Sequence, residues 1–102
     1  MTANQVLVLE EAANDLAQGI DFYEEQKSGL GAYFFDSLIS DIESLEISGG
    51  VHAIHFGFHR MLSKRFPFAI YYNLQSNTAQ VVAVLDMRRN PAWTRGQLGQ
   101  RH

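Results

Sequence analysis

From Glu10 onward, the hydrophobic period of this chain changes at Ser48-Gly49-Gly50, and that change restricts the architecture more than any other feature. Before it, apolar residues recur every three or four positions. From His59 they alternate. A helix buries one stripe at a period near 3.6, whereas a half-buried strand buries every second residue. Helices are therefore grouped in the first half and strands in the second, which favours α+β packing over a doubly wound parallel sheet.

The helical half begins with a short strand. Asn4-Gln5-Val6-Leu7-Val8-Leu9 is aliphatic and β-branched, and too short for a stable helix. From Glu10, the positions Ala13, Leu16, Ala17, Ile20 and Tyr23 predict an amphipathic helix of about 17 residues, with early acids favoured by the helix dipole. Ser28-Gly29-Leu30-Gly31 breaks it, and a second helix follows with Phe35, Leu38, Ile42 and Leu45 as its stripe. So short a break predicts an antiparallel helical hairpin.

In the second half, His59 to Lys64 reads as a half-buried strand. Phe66, Phe68, Ile70, Tyr72 and Leu74 then share the face of another, with Pro67 at its beginning where a missing donor does least harm. Gln75-Ser76-Asn77-Thr78 has turn chemistry, and Ala79 to Leu85 is apolar on both faces, as in a strand covered on both sides. Tyr71 and Tyr72 must point to opposite faces. Residues 51–58 fit neither period. The expected order is β-α-α-β-β-β, a helical hairpin on a small, mainly antiparallel twisted sheet, forming one domain over residues 1–102 with a polar tail from about residue 94.

Charge divides at the same place. Residues 1–50 carry ten acids and one base, Lys27, while residues 51–102 carry seven bases and one acid, Asp86; the net of −3 conceals this. Such asymmetry can mark a partner-binding face. The chain has no cysteine, which excludes disulfides, thiolate metal sites and cysteine nucleophiles. No apolar run approaches the roughly 18 residues of a membrane span, and the first residues lack a signal peptide's pattern. A cytoplasmic protein without membrane partners is expected.

Two stretches carry a family resemblance. Arg60-Met61-Leu62-Ser63-Lys64-Arg65-Phe66-Pro67-Phe68-Ala69-Ile70-Tyr71-Tyr72 leads a basic strand into Phe-Pro-aromatic-x-Ile-Tyr-Tyr. Val81-Val82-Ala83-Val84-Leu85-Asp86-Met87-Arg88-Arg89-Asn90-Pro91 closes an apolar strand on Arg-Arg-Asn-Pro. With the element order, Asp21-Phe22-Tyr23-Glu24 in the first helix and Phe34-Phe35 and Ile42 in the second, residues 5–93 resemble the RelE/ParE superfamily of type II toxins, in its plasmid-stabilisation or ParE-like branch. The resemblance implies a toxin neutralised by a cognate antitoxin. RelE-like members cut mRNA on the ribosome with basic residues in a groove on the sheet; ParE-like members inhibit DNA gyrase and lack that set.

RNA cleavage without metal needs a base for the 2′-hydroxyl, cations for the phosphate and an acid for the leaving oxygen. Alternation puts Arg60 and Lys64 on one strand face, so a phosphate groove of Arg60, Lys64 and Arg88 is the nuclease alternative. Against it, Ala69 stands where RelE-like nucleases carry an arginine, and Trp93 or Thr94 stands near the place of a catalytic tyrosine. The net negative charge is also unusual for a protein that approaches a polyanion. His52, His55 and His59 have helical metal-ligand spacing, but Gly57 and the alternation after it argue for a strand, so neither a metal nor a cofactor is expected. The favoured expectation is a non-catalytic toxin acting by protein contact on a topoisomerase such as gyrase. Arg60, Lys64, Arg65, Arg88, Arg89 and Trp93 would form its target- or antitoxin-binding surface, and Asp86 an ion pair tying the tail to the sheet. The remaining alternative is a non-toxic member that retains only antitoxin binding.

Overall fold

A computed structural model of the chain describes residues 5–101. The elements are β1 (Gln5–Val8), α1 (Glu10–Gln26), α2 (Leu30–Glu43), α3 (Leu45–Ser48), β2 (Ile54–His55), β3 (Phe58–Leu62), β4 (Phe68–Gln75), β5 (Thr78–Asp86) and α4 (Pro91–Gly99). The expected order is present with three additions: the single turn α3, the two-residue β2, and α4. The start of β1 expected at Asn4 lies outside the described residues.

The five strands run in the order β1-β5-β4-β3-β2, with β1 parallel to β5 and the other neighbours antiparallel. Alternation along β4 builds two cores. Phe68, Ile70 and Tyr72 pack beneath Leu16, Tyr23, Phe34 and Leu38 of the hairpin, while Ala69 and Tyr71 pack with Phe58, Leu85 and Leu98 on the opposite face. Tyr71 and Tyr72 therefore do face opposite sides, and both are buried. The hairpin helices approach closely because glycine occupies the contacts: a Cβ on Gly19 would stand 2.5 Å from the Phe34 ring, and one on Gly31 2.8 Å from the Ile20 carbonyl. Glu24 fastens the turn between them, accepting the Gly29 and Gly31 amides at 3.0 and 2.9 Å, and those bonds hold its carboxyl below the ordinary range.

Both helical stripes are rotated from the expected ones. On α1 the buried positions are Ala12, Leu16, Gly19 and Tyr23, with Ala13 and Ala17 exposed. On α2, Phe34 is buried and Phe35 is 40% exposed. Glycine accounts for the first shift, since Gly19 carries no hydrophobic signal yet admits a ring. On α2, Ser37 and Asp41 share the buried face with Leu38 and Ile42, so polar residues hide part of the stripe.

The unassigned residues 51–58 form a tight hairpin, turning through Phe56 (φ 56°) and Gly57 (φ 87°) between β2 and β3. A left-handed aromatic residue is rare and strained. The β4–β5 turn is the expected one, with Ser76 and Asn77 both at positive φ as two-residue hairpins require. His52 and His59 also serve structure. The Tyr72 hydroxyl accepts the Gly50 amide at 2.9 Å and meets His52 Nδ1 at 2.5 Å. His59 lies against the Tyr72 ring and bonds the His52 carbonyl at 2.7 Å.

The segment expected as a polar tail is largely the helix α4. Asn90 caps it, accepting the Trp93 amide at 2.9 Å, and Pro91 sits at its first position, where no amide partner is needed. Asn-Pro thus marks a helix start. α4 carries Leu98 onto the second core and delivers Arg101 to the edge of β5. There β5 has a bulge: Tyr71 pairs with Ala83 and Tyr72 with Val81, leaving Val82 over. β1 has ended, so side chains take the place of a strand. Asp15 accepts the Val84 amide at 2.9 Å, Arg101 donates to the Val82 carbonyl at 3.1 Å, and the two pair with each other while only 10% and 8% exposed. Asp15 foremost holds the Arg101 guanidinium pKa above its ordinary value.

Removing one member of a buried pair leaves the other charge and the backbone groups unsatisfied. Asp15→Ala is expected to lower stability by about 3 kcal/mol, measured by urea denaturation. Asp15→Ala with Arg101→Met should cost less than the sum of the single changes, because no unpaired charge remains. Burial, and next the neighbouring His59, lowers the His52 pKa in the folded chain below its usual 6.5. The unfolded chain then takes up the proton first. Stability from this source is complete above about pH 6.5 and declines as pH falls from there through the folded pKa. Melting curves between pH 7.5 and 5 should show that decline, and His52→Ala should flatten it.

Candidate interaction site

Register decides which basic residues meet. Phe68 pairs with Asp86, and the Met87 amide donates to the Pro67 carbonyl at 2.8 Å, so segments 63–67 and 86–90 lie side by side at one end of the sheet. Lys64, Arg65, Arg88 and Arg89 thereby share that end, and all four are exposed. Trp93 joins them across the start of α4, where the Arg89 guanidinium lies 4.0 Å from its ring centre. That distance is within the range of a cation–π contact.

Arg60 stands apart. It pairs with Tyr71 in mid-sheet, on the face that carries α4. Burial raises the Tyr71 phenol above its ordinary pKa, and the charge and hydrogen bond of Arg60 pull partly against that. The expected shared face of Arg60 and Lys64 does not exist, because β3 ends at Leu62 and alternation does not reach Lys64. The chain instead bends where buried Asp41 of α2 accepts the Ser63 hydroxyl at 2.8 Å and the Lys64 amide at 3.2 Å.

Arg88 is already committed. Its Nε donates to Asp86 Oδ1 at 3.0 Å and its Nη2 to Oδ2 at 2.7 Å, while its amide also donates to Oδ1 at 2.8 Å. The hydrogen bond from Arg88 is the main cause holding the Asp86 carboxyl below its usual range. The reciprocal bond raises the Arg88 pKa, with a smaller contribution from the Tyr23 phenol. This is the expected Asp86 ion pair, although it closes the β5–α4 turn locally rather than reaching along the chain. Ala69, where a nuclease would carry an arginine, is fully buried beneath α4.

Sequence reasoning gave no site role to Asp41, Phe66 or Phe22, and placed Phe66 in the strand that in fact begins at Phe68. Asp41 positions the basic loop but resembles any other acid on a helix; its only signal is that it falls on the same face as Leu38 and Ile42. Phe66 lies outside β4 and wedges among Tyr23, Tyr33 and Phe34, with ring centres 4.9 to 5.5 Å away. It fixes the basic loop against the tip of the hairpin. Phe22, next to buried Tyr23, is 47% exposed beside that end.

No family model and no curated protein matches the sequence. Among solved structures, a chain of the chromosomal ParDE TA system from P. aeruginosa aligns with a TM-score of 0.71, covering 78% of this chain and 91% of that one. The two sequences are 14% identical, so the likeness is one of fold. The hairpin on a mainly antiparallel sheet that the hydrophobic periodicity predicted is thus shared with a chain of a ParDE system.

Proposed function

We propose that residues 1–102 form a toxin of a type II toxin–antitoxin system, one that acts by protein contact rather than by cutting RNA. The fold likeness to a ParDE chain supports the toxin part of this reading. The state of Arg88 carries the rest. It belongs to the phosphate groove of the nuclease alternative, and Asp86 already neutralises it in a two-point bond. A phosphate would have to displace that carboxylate. Ala69 offers nothing to a phosphate, and Trp93 can neither give nor take a proton as a phenol can.

What the basic end does offer is an interface. Arginine and tryptophan are common anchors of protein contacts because they combine apolar area with directed polarity. Lys64, Arg65, Arg88, Arg89 and Trp93 would meet an acidic partner surface, and Arg60 would have at most a peripheral part. The target is a topoisomerase such as DNA gyrase, and a cognate antitoxin in the cytoplasm neutralises the chain.

Purified protein is expected to inhibit supercoiling by gyrase and to leave ribosome-bound mRNA intact. Charge reversal of Lys64 and Arg65 together should weaken inhibition at least tenfold, without a matching loss of thermal stability since both side chains are exposed. Ribosome-dependent cleavage abolished by Arg88→Ala would refute the reading. Inactivity in both assays, together with tight antitoxin binding, would instead identify a non-toxic member.

A further inference from the structure

The edge of the sheet at β2 is open, because β2 pairs with β3 alone. The Arg60 amide donates to the Ala53 carbonyl at 3.0 Å, so the Ala53 backbone faces β3. By the alternation of an antiparallel ladder, the N–H and C=O of Ile54 then point to the open side. Its side chain lies on the face of the helical hairpin, because it pairs with His59, whose ring stacks on Tyr72. Ile54 is 57% exposed, and Val51, three residues earlier, is 71% exposed. Exposed edges are ordinarily blunted by lysine, proline or other charge, and a bare apolar edge is a template for another strand. Residues 51–62 contain no lysine, proline or acid, and Arg60, on the inner strand, is their one fixed charge.

We propose that this edge pairs with a second copy of the chain, β2 against β2, antiparallel about a two-fold axis at Ile54. The inference goes beyond the toxin reading and does not depend on it. At the axis, each Ile54 N–H donates to the Ile54 carbonyl of the other copy, forming one closely spaced pair of an antiparallel ladder. Both Ile54 side chains fall on the same face of the joined sheet and meet. Two places on, the register sets residue 56 of one copy opposite residue 52 of the other. Phe56 holds a left-handed conformation at φ 56°, and its ring is 36% exposed. Within the chain, the Arg95 guanidinium lies 5.6 Å from the centre of that ring. Strain held at an exposed aromatic residue points to a contact made with another molecule.

Symmetry and charge select the occupant. A two-fold contact is self-complementary, so an edge without acid or lysine meets one without them. Antiparallel pairing also reverses the strand direction. The basic ends at residues 63–67 and 86–90 of the two copies then point opposite ways, and like charges do not face one another. An acidic extended segment would gain little here, since Arg60 already engages the Tyr71 phenol. With only two residues in β2, the contact belongs to the small, transient class, with a dissociation constant of roughly 10–100 μM.

Sedimentation equilibrium of the full chain from roughly 1 to 500 μM brackets that value, with backbone amide exchange followed at both limits. A monomer–dimer equilibrium is expected, with the Ile54 amide exchanging several-fold more slowly at the high concentration. Ile54→Lys, and separately Val51→Lys, should weaken association about tenfold. Both side chains are exposed, so the melting temperature should hardly move. Phe56→Asn should raise the melting temperature, because asparagine suits the positive φ of a two-residue hairpin loop, and should weaken the dimer. Arg89→Glu, at the basic end, should leave the dimer intact. A monomer at every concentration would overturn the proposal. So would a dimer that survives Ile54→Lys, leaves the Ile54 amide unprotected or dissociates on Arg89→Glu. Protection of that amide by an antitoxin, in a chain that stays monomeric alone, would give the edge to that partner instead.

Discussion

The ion pair of Asp15 and Arg101 carries an unusual share of the architecture. It joins the second turn of α1 to Arg101, two residues beyond α4, and, through Val82 and Val84, to β5. A bulge in β5 and the early end of β1 leave backbone groups at that edge without a strand. Buried amides and carbonyls need partners, and here two side chains supply them. Glu11 adds a longer contact to Arg101 at 3.5 Å, and Gln97 accepts from it at 3.2 Å. Helix α1 and the segment after α4 are therefore fastened to one another across the sheet edge, and α4 is held over the second core.

That fastening also shapes the surface. With β1 short and α4 held back, a groove remains between the helices, closed by the same ion pair at one end. At its other end the paired strands β4 and β5 bring two basic loops together, and Phe66 and Asp41 brace one of them against the hairpin. Attachment to the helices and exposure of the cations are thus two consequences of one arrangement. The loop is held from behind by an acid and an aromatic ring, so its charged side chains are free to face outward.

Much of the fold was legible in the residues. The extent of α1, the face of β4, the turn at Ser76-Asn77 and the grouping of helices before strands all follow from local periodicity and turn chemistry. Failures had particular causes. The helical stripes were misjudged because Gly19, Ser37 and Asp41 are buried without looking apolar. Residues 51–58 defied assignment because Phe56 occupies a conformation normally left to glycine or asparagine. The last helix was overlooked because its polar composition outweighed Asn90-Pro91, a cap and first-turn signal in plain view. In the site, Lys64, Arg65, Arg88, Arg89 and Trp93 do share one end, whereas Arg60 does not. Period-two reasoning extends only as far as the strand does.

By itself, the sequence determined the class of the fold and the separation of charge, because both are recorded in residue type and spacing. Periodicity states which positions are apolar, and local chemistry states where the chain turns. Tertiary structure alone decided which charges remain available. Arg101 is spent on Asp15, and Lys64 and Arg65 are held outward by an acid more than twenty residues away; the pair of Arg88 with Asp86 is local and was legible in the sequence. Whether a cation is free or paired depends on what the fold sets beside it, and long-range pairing of that kind leaves no local trace.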